Sequence, residues 1–286
     1  MNRVRPQQRR RRWPRLDLLS ILLAPLGIAV VMAGHLFDGS HVTSLLQGPS
    51  ALVVFGGTLG AILISYTPGE VVRAARSSLA AFRSADNDLD TIAATIVTLS
   101  IRSHRRGLQA LEADLDHVSD PLLKSGLGLV VDAASPEMLK QVMALESRAE
   151  EAEEELPARI LEAAAGYAPT MGILGAVLGL MRVMENLGAP GMLGSGIALA
   201  FVATVYGVGF ANLVLLPLAG RLRERSLRRG RRRELIAEGL DALHQRTNPR
   251  LVAHKVRAFS ASMPRIDELA VQGGPLRAAR KAGVPA

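Results

Sequence analysis

The chain has 286 residues, 49% of them hydrophobic and 21% charged, with a formal net charge of +8 and no cysteine. The missing cysteines exclude disulfides and cysteine-ligated metal sites. A basic balance can signal nucleic acid, but aromatic residues for base stacking make up only 3% of the chain and most of the excess charge flanks apolar runs. Anionic membrane headgroups are therefore the expected partner, and nucleic acid is not.

Residues 1–15 form a basic segment with Arg3, Arg5, Arg9, Arg10, Arg11, Arg12 and Arg15. Residues 16–68 contain two uncharged runs, 18–34 and 50–67, the second bracketed by Pro49 and Pro68. Each approaches the roughly 20 residues that cross a hydrocarbon core of about 30 Å. A basic start followed by an apolar run also resembles a secretory signal. The second span that follows directly, and the lack of a convincing small-x-small cleavage site, favour two membrane helices.

Residues 69–159 are polar and helical in pattern. Val71, Val72, Ala75, Leu79 and Phe82 recur at helical spacing, as do apolar residues within 89–101 and 108–115. Ser135-Pro136-Glu137 has the form of a helix start, and breaks fall at 84–88, at Gly107 and at Ser119-Asp120-Pro121. The segment reads as a compact helical domain. Its last helix carries Glu146, Glu150, Glu151, Glu153, Glu154 and Glu155, expected to form a solvated face rather than a cation site.

Within residues 160–220 lie the longest uncharged stretches, 163–181 and 192–220, separated by Arg182, Glu185 and a turn at 188–191. This is the pattern of a helical membrane hairpin. Both arms contain proline and glycine, which membrane helices tolerate where neighbours pack closely. Gly172, Gly175 and Gly179 form a row suited to helix packing rather than to phosphate binding. Residues 221–286 begin with eight arginines between Arg221 and Arg233, expected to prolong the last span as a helix through His244. Beyond Pro249 the apolar pattern fades.

The fold class expected is all-α: a polytopic membrane protein with four transmembrane helices and a helical cytoplasmic domain. The linkers at 37–48 and 187–194 contain no Lys or Arg, so the positive-inside rule puts both termini and residues 69–159 in the cytoplasm. The six histidines are scattered, no phosphate-binding loop occurs, and no serine has a matched base. No enzyme activity, metal or cofactor is expected.

Depth within the hairpin can be counted from its arginines. Ala176 follows Arg159 by 17 residues and Thr204 precedes Arg221 by 17, which places both about 25 Å from their anchors and at one level. Thr204 could equally bond its own i−4 carbonyl. Ion-moving membrane proteins usually place an ionisable group on the pathway, yet no Asp, Glu, Lys, Arg or His lies deep in these runs. If the chain moves ions, a partner must supply the carrier.

Several strings are specific. Residues 166–180 (GYAPTMGILGAVLGL) and 183–187 (VMENL) resemble the third span of the MotA/PomA family of flagellar stator subunits. The strings at 194–198 (GSGIA), 201–209 (FVATVYGVG), 211–213 (ANL) and 216–217 (LP) resemble its fourth. Those at 48–51 (GPSA) and 56–60 (GGTLG) are similar to its second. The resemblance covers residues 16–246. It implies a homo-oligomer, a pentamer around a dimer of a MotB-like single-span subunit whose membrane aspartate carries the ion. Alternate protonation of that aspartate would then drive rotation against the rotor.

The same resemblance implies an ion pathway at Ala176, Thr204 and Tyr206 and functional prolines at Pro169 and Pro217. It also implies contact with the rotor switch protein FliG through Arg105, Arg106 and Glu112. His104 departs from the family pattern, standing where spacing would put a basic residue. Sodium-type relatives carry threonine where this chain has Ala176. Alanine offers no oxygen to replace sodium's water shell, so protons are the expected ion. The alternatives are an ExbB/TolQ-like energiser of an outer-membrane system, with three spans, and a membrane scaffold without ion flux.

Overall fold

The computed structural model describes residues 26–37, 45–82, 88–188 and 190–259. All regular structure among them is helical. Helix α1 is Leu26–Phe37, and α2 is Gly48–Ser65 with a π-helical stretch at Leu52–Gly56. Helix α3 is Pro68–Ala80 and α4 is Asp88–Arg106, followed by a 3-10 helix at Gln109–His117. Next come α5 (Pro121–Val131) and the 50-residue α6 (Pro136–Glu185). Helix α7 runs over 190–244, with α-helix at Pro190–Phe210 and Leu216–His244 and a π-helical stretch at Ala211–Leu215 between them. The last described helix, α8, is Pro249–Arg257.

Three of these helices are long and apolar enough to cross a membrane: Gly48–Ser65, Pro136–Glu185 and Leu193–His244. The first apolar run of the sequence, 18–34, lies partly outside the described residues, and its described part belongs to the 12-residue α1.

The chain divides into two compact units, one of residues 1–85 and 155–224, the other of 86–154 and 225–286. The first holds the apolar runs. Its helix α3 starts with a capping box, in which Thr67 accepts from the Glu70 N–H while the Glu70 carboxylate accepts from the Thr67 N–H at 2.8 Å. Ala74 of α3 is buried with Ile62, Ile160, Ala164, Ala168, Ala211 and Leu215. Helix α3 therefore belongs with the apolar runs, not with the polar segment in which the sequence reading began it.

The second unit has a hydrophobic core of its own. Ile96, Leu99, Leu111, Leu123, Leu127, Leu235, Ile236 and Leu240 are fully or almost fully buried in it. Gly126 and Gly239 let Leu240 and Ile96 respectively approach the backbone. The expected breaks at Gly107 and Pro121 and the helix start at Pro136 coincide with element boundaries, whereas the break expected at 84–88 falls almost entirely outside the described residues. Helix α8 was not anticipated. Asn248 caps it, and its Val252, Ala253 and Val256 are buried in this core. The tail at 273–286, which lacks an apolar period and is expected to be poorly ordered, lies outside the described residues, as do residues 260–272.

The acidic run on α6 is only partly a solvated face. Glu154 pairs with Arg233 at 2.6 Å and with Arg229 at 3.1 Å. Glu150 lies 3.9 Å from both Arg232 and Arg233, and Lys140 pairs with Asp241 at 3.5 Å. The Arg233 side chain is only 3% exposed. The α6 glutamates thus neutralise arginines of α7, which charge patterning along one helix could not reveal.

Candidate functional site

The hairpin formed by the C-terminal part of α6 and the N-terminal part of α7 is held along a seam of small residues. On α6 these are Ala168, Gly172, Gly175 and Gly179, spaced four, three and four apart; on α7 they are Gly196, Ala200, Ala203 and Gly207 with the same spacing. A Cβ on Gly207 would lie 2.5 Å from the Ala168 carbonyl oxygen and 3.0 Å from Gly172 Cα. One on Gly172 would lie 2.9 Å from the Ala203 carbonyl oxygen, and one on Gly179 would lie 2.8 Å from Ala200 N. Backbone meets backbone at three levels. The sequence reading found the α6 row; the matching α7 row carried the same signal and was missed.

The register refines the depth count. Thr204 Cα is 3.4 Å from a Cβ placed on Gly172, and the neighbouring Ala203 Cβ is 2.7 Å from one placed on Gly175. Ala176 and Thr204 each adjoin the Gly175–Ala203 contact, so they lie within about one helical turn of each other along the hairpin. The count from Arg221 passes through the π-helical stretch Ala211–Leu215, where an extra residue per turn shortens the rise.

The Thr204 hydroxyl donates to the Ala200 carbonyl at 3.2 Å, the local bond that competes with any ligand role. Thr204 and Ala176 are both half-buried. Tyr206 is fixed elsewhere. Its hydroxyl donates to the Leu45 carbonyl and accepts from the Gln47 N–H at 3.3 Å, and its ring stands 5.7 Å from Phe55. Phe55 also meets Phe210 edge-on at 5.0 Å, and the Ser50 hydroxyl donates to the Leu199 carbonyl at 3.1 Å. Tyr206 thereby ties α7 to the start of α2, a contact between residues 161 positions apart that sequence spacing does not show.

The prolines sit where the helical ladder is interrupted. Pro169 is half-buried inside α6. Pro217 is exposed and directly follows the π-helical stretch of α7. Each lacks an N–H, so the carbonyl four residues earlier loses its usual donor.

His104, Arg105 and Arg106 are exposed in the last turn of α4, where positive charge complements the helix dipole. Gly107, with φ of +86°, closes that helix and turns the chain into the 3-10 helix carrying exposed Glu112. Buried Asp114 pairs with Arg102 across this turn. The four residues expected at the rotor thus share one exposed helix-turn-helix. Among the described residues no cluster of His, Asp or Glu is arranged to hold a metal ion.

Residues 114–235 match the MotA/TolQ/ExbB proton channel family. The chain is 30% identical over 260 residues to motility protein A of Bacillus subtilis, covering 90% of this chain and 94% of that protein. It is 31% identical over 250 residues to the uncharacterized protein YtxD of the same organism, covering 86% and 92%. Its fold is similar to that of the flagellar MotAB stator complex from Bacillus subtilis, with a TM-score of 0.74, 28% identity and coverage of 89% and 98%.

Proposed function

This chain belongs to the MotA/PomA family of flagellar motor stator subunits, and on that footing we propose that it couples inward proton flow to torque on the rotor. It is a membrane protein of the bacterial inner membrane that assembles with a MotB-like partner. In the finer reading it has four spans and cytoplasmic termini, and five copies surround two partner subunits whose membrane aspartate carries the proton.

The observation that carries this reading is the uncharged hairpin. Two apolar helices closed by backbone contact offer no exchanging group between residues 163 and 181 or between 192 and 220. A hydrated ion lacks ligands in such surroundings, and apolar constrictions block conduction by dewetting. A carboxylate on a partner's helix supplies what is missing. Thr204 orders water or that carboxylate, Ala176 leaves no sodium ligand, and Pro169 and Pro217 let the inner helices bend as the carboxylate changes charge. His104, Arg105, Arg106 and Glu112 present a charged surface suited to FliG. Similarity to a motility protein over nearly the whole chain supports this reading over an ExbB/TolQ-like energiser.

The test is reconstitution in liposomes under a membrane potential. The chain alone is expected to hold the proton gradient, and the complex with a partner freed of any plug to dissipate it. An Asp-to-Asn change in the partner's span should stop the leak. Flux through the chain alone, equal to that of the unplugged complex, refutes the two-component pathway.

A further inference from the structure

We propose that the outer face of α3 is a docking surface for anionic phospholipid headgroups at the membrane surface. This rests on the membrane reading above. Helix α3 begins three residues after the end of the membrane-capable α2. Its inner face is already used: Ala74 and Ser78 are buried, Val71 packs beside them, and the Ser78 hydroxyl donates to the Ala74 carbonyl at 2.8 Å. Ala74 packs with Ile62 and Ile160. Ile62 lies three residues before Ser65 at the end of α2, and Ile160 lies between Arg159 and Glu162 just before the uncharged stretch 163–181, so α3 sits where hydrocarbon gives way to headgroups.

The opposite face is open. Val72 and Leu79, seven residues and two turns apart, are 48% and 76% exposed. Arg73 and Arg76 are exposed along one edge of that stripe. Large apolar side chains in the centre with arginines at the edge suit an interfacial helix: the apolar groups enter the acyl boundary and the guanidinium groups reach phosphates. A protein partner fits less well. Two large side chains are far short of the roughly 1,000 Å² that a specific interface buries. Lipid needs no such area, because the adjoining span already holds the helix at the bilayer and no association entropy remains to be overcome.

The chain has no cysteine, so single labels report unambiguously. Leu79→Cys in the full chain would carry a fluorophore in liposomes of phosphatidylcholine with or without phosphatidylglycerol. Quenching by lipids with a nitroxide near the headgroup is compared with quenching by aqueous iodide. Docking predicts strong headgroup-level quenching and weak iodide quenching. Nitroxide-labelled phosphatidylglycerol should exceed labelled phosphatidylcholine, by up to about fivefold for each arginine. Arg73→Gln with Arg76→Gln should abolish that preference while leaving quenching by phosphatidylcholine.

Strong iodide quenching with no lipid quenching overturns the proposal. So does protection from both quenchers, which would mean that a second copy or another protein covers the face. A label at Leu59→Cys, in the membrane-capable α2 outside the hairpin and 52% exposed, serves as the control. If deep lipid nitroxides fail to reach it, the membrane reading itself has failed.

Discussion

Replacing Gly207 by alanine tests whether the seam sets the hairpin. The added Cβ would stand 2.5 Å from the Ala168 carbonyl oxygen, 3.0 Å from Gly172 Cα and 3.2 Å from Gly172 N. All three neighbours are backbone atoms of α6, so no side chain can swing aside. Relief requires α6 and α7 to separate by several tenths of an ångström, and each contact along the seam then loses part of its dispersion well. Overpacking of this kind costs about 1–3 kcal/mol.

Gly209 provides the control, two residues along the same helix. A Cβ there meets nothing within 4 Å, so Gly209→Ala gains helix propensity of up to about 1 kcal/mol. Thermal unfolding of both variants in detergent, followed by circular dichroism, separates the effects. At roughly 2–4 °C per kcal/mol for a chain of this size class, Gly207→Ala should lower the midpoint by about 2–12 °C. Gly209→Ala should leave it level or slightly raised. Equal behaviour of the two variants would refute the argument that backbone contact at Ala168 and Gly172 holds the hairpin.

Glu154→Gln should destabilise the second unit by about 1–3 kcal/mol, because it leaves the buried Arg233 guanidinium only the Glu150 carboxylate, 3.9 Å away, while Arg229→Gln, at an exposed side chain, should cost no more than about 1 kcal/mol; urea unfolding distinguishes them. Replacing Pro169 or Pro217 by alanine should preserve expression and partner co-purification yet abolish swimming, and loss of folded protein instead would assign them a structural role. Swimming supported by the unmodified chain should collapse with an uncoupler and ignore external sodium, as Ala176 requires; a sodium requirement would overturn proton coupling. The Glu70 carboxyl is held below its usual range by the Thr67 backbone N–H and then by the Thr67 hydroxyl. Its capping contribution is therefore present above the unfolded-state pKa and lost as pH falls through the lowered folded value. Glu70→Gln should flatten that acid limb, and an unchanged pH profile would show that the cap does not titrate.

Much of this protein is legible along the chain because local chemistry settles it. The uncharged runs must be helical in lipid, since no water is there to satisfy the backbone. Proline at positions 121 and 136 and glycine at 107 mark helix ends through fixed or positive φ. The strings at 166–180 and 201–209 carry the family resemblance by themselves. Tertiary structure decided what faces what. The register of α6 against α7 comes from interlocking small residues, which set Ala203 against Gly175 and Thr204 beside Gly172. Counting from charged anchors assumes a uniform rise, which the π-helical stretch breaks. Likewise, Glu154 reads as one solvated acid among several until the fold brings Arg229 and Arg233 across to it from 75 and 79 residues away. The tie from the Tyr206 hydroxyl to the backbone that enters α2 is also invisible along the chain. Helix propensity and hydropathy act over a few turns, whereas such pairings depend on which faces meet once the helices have formed.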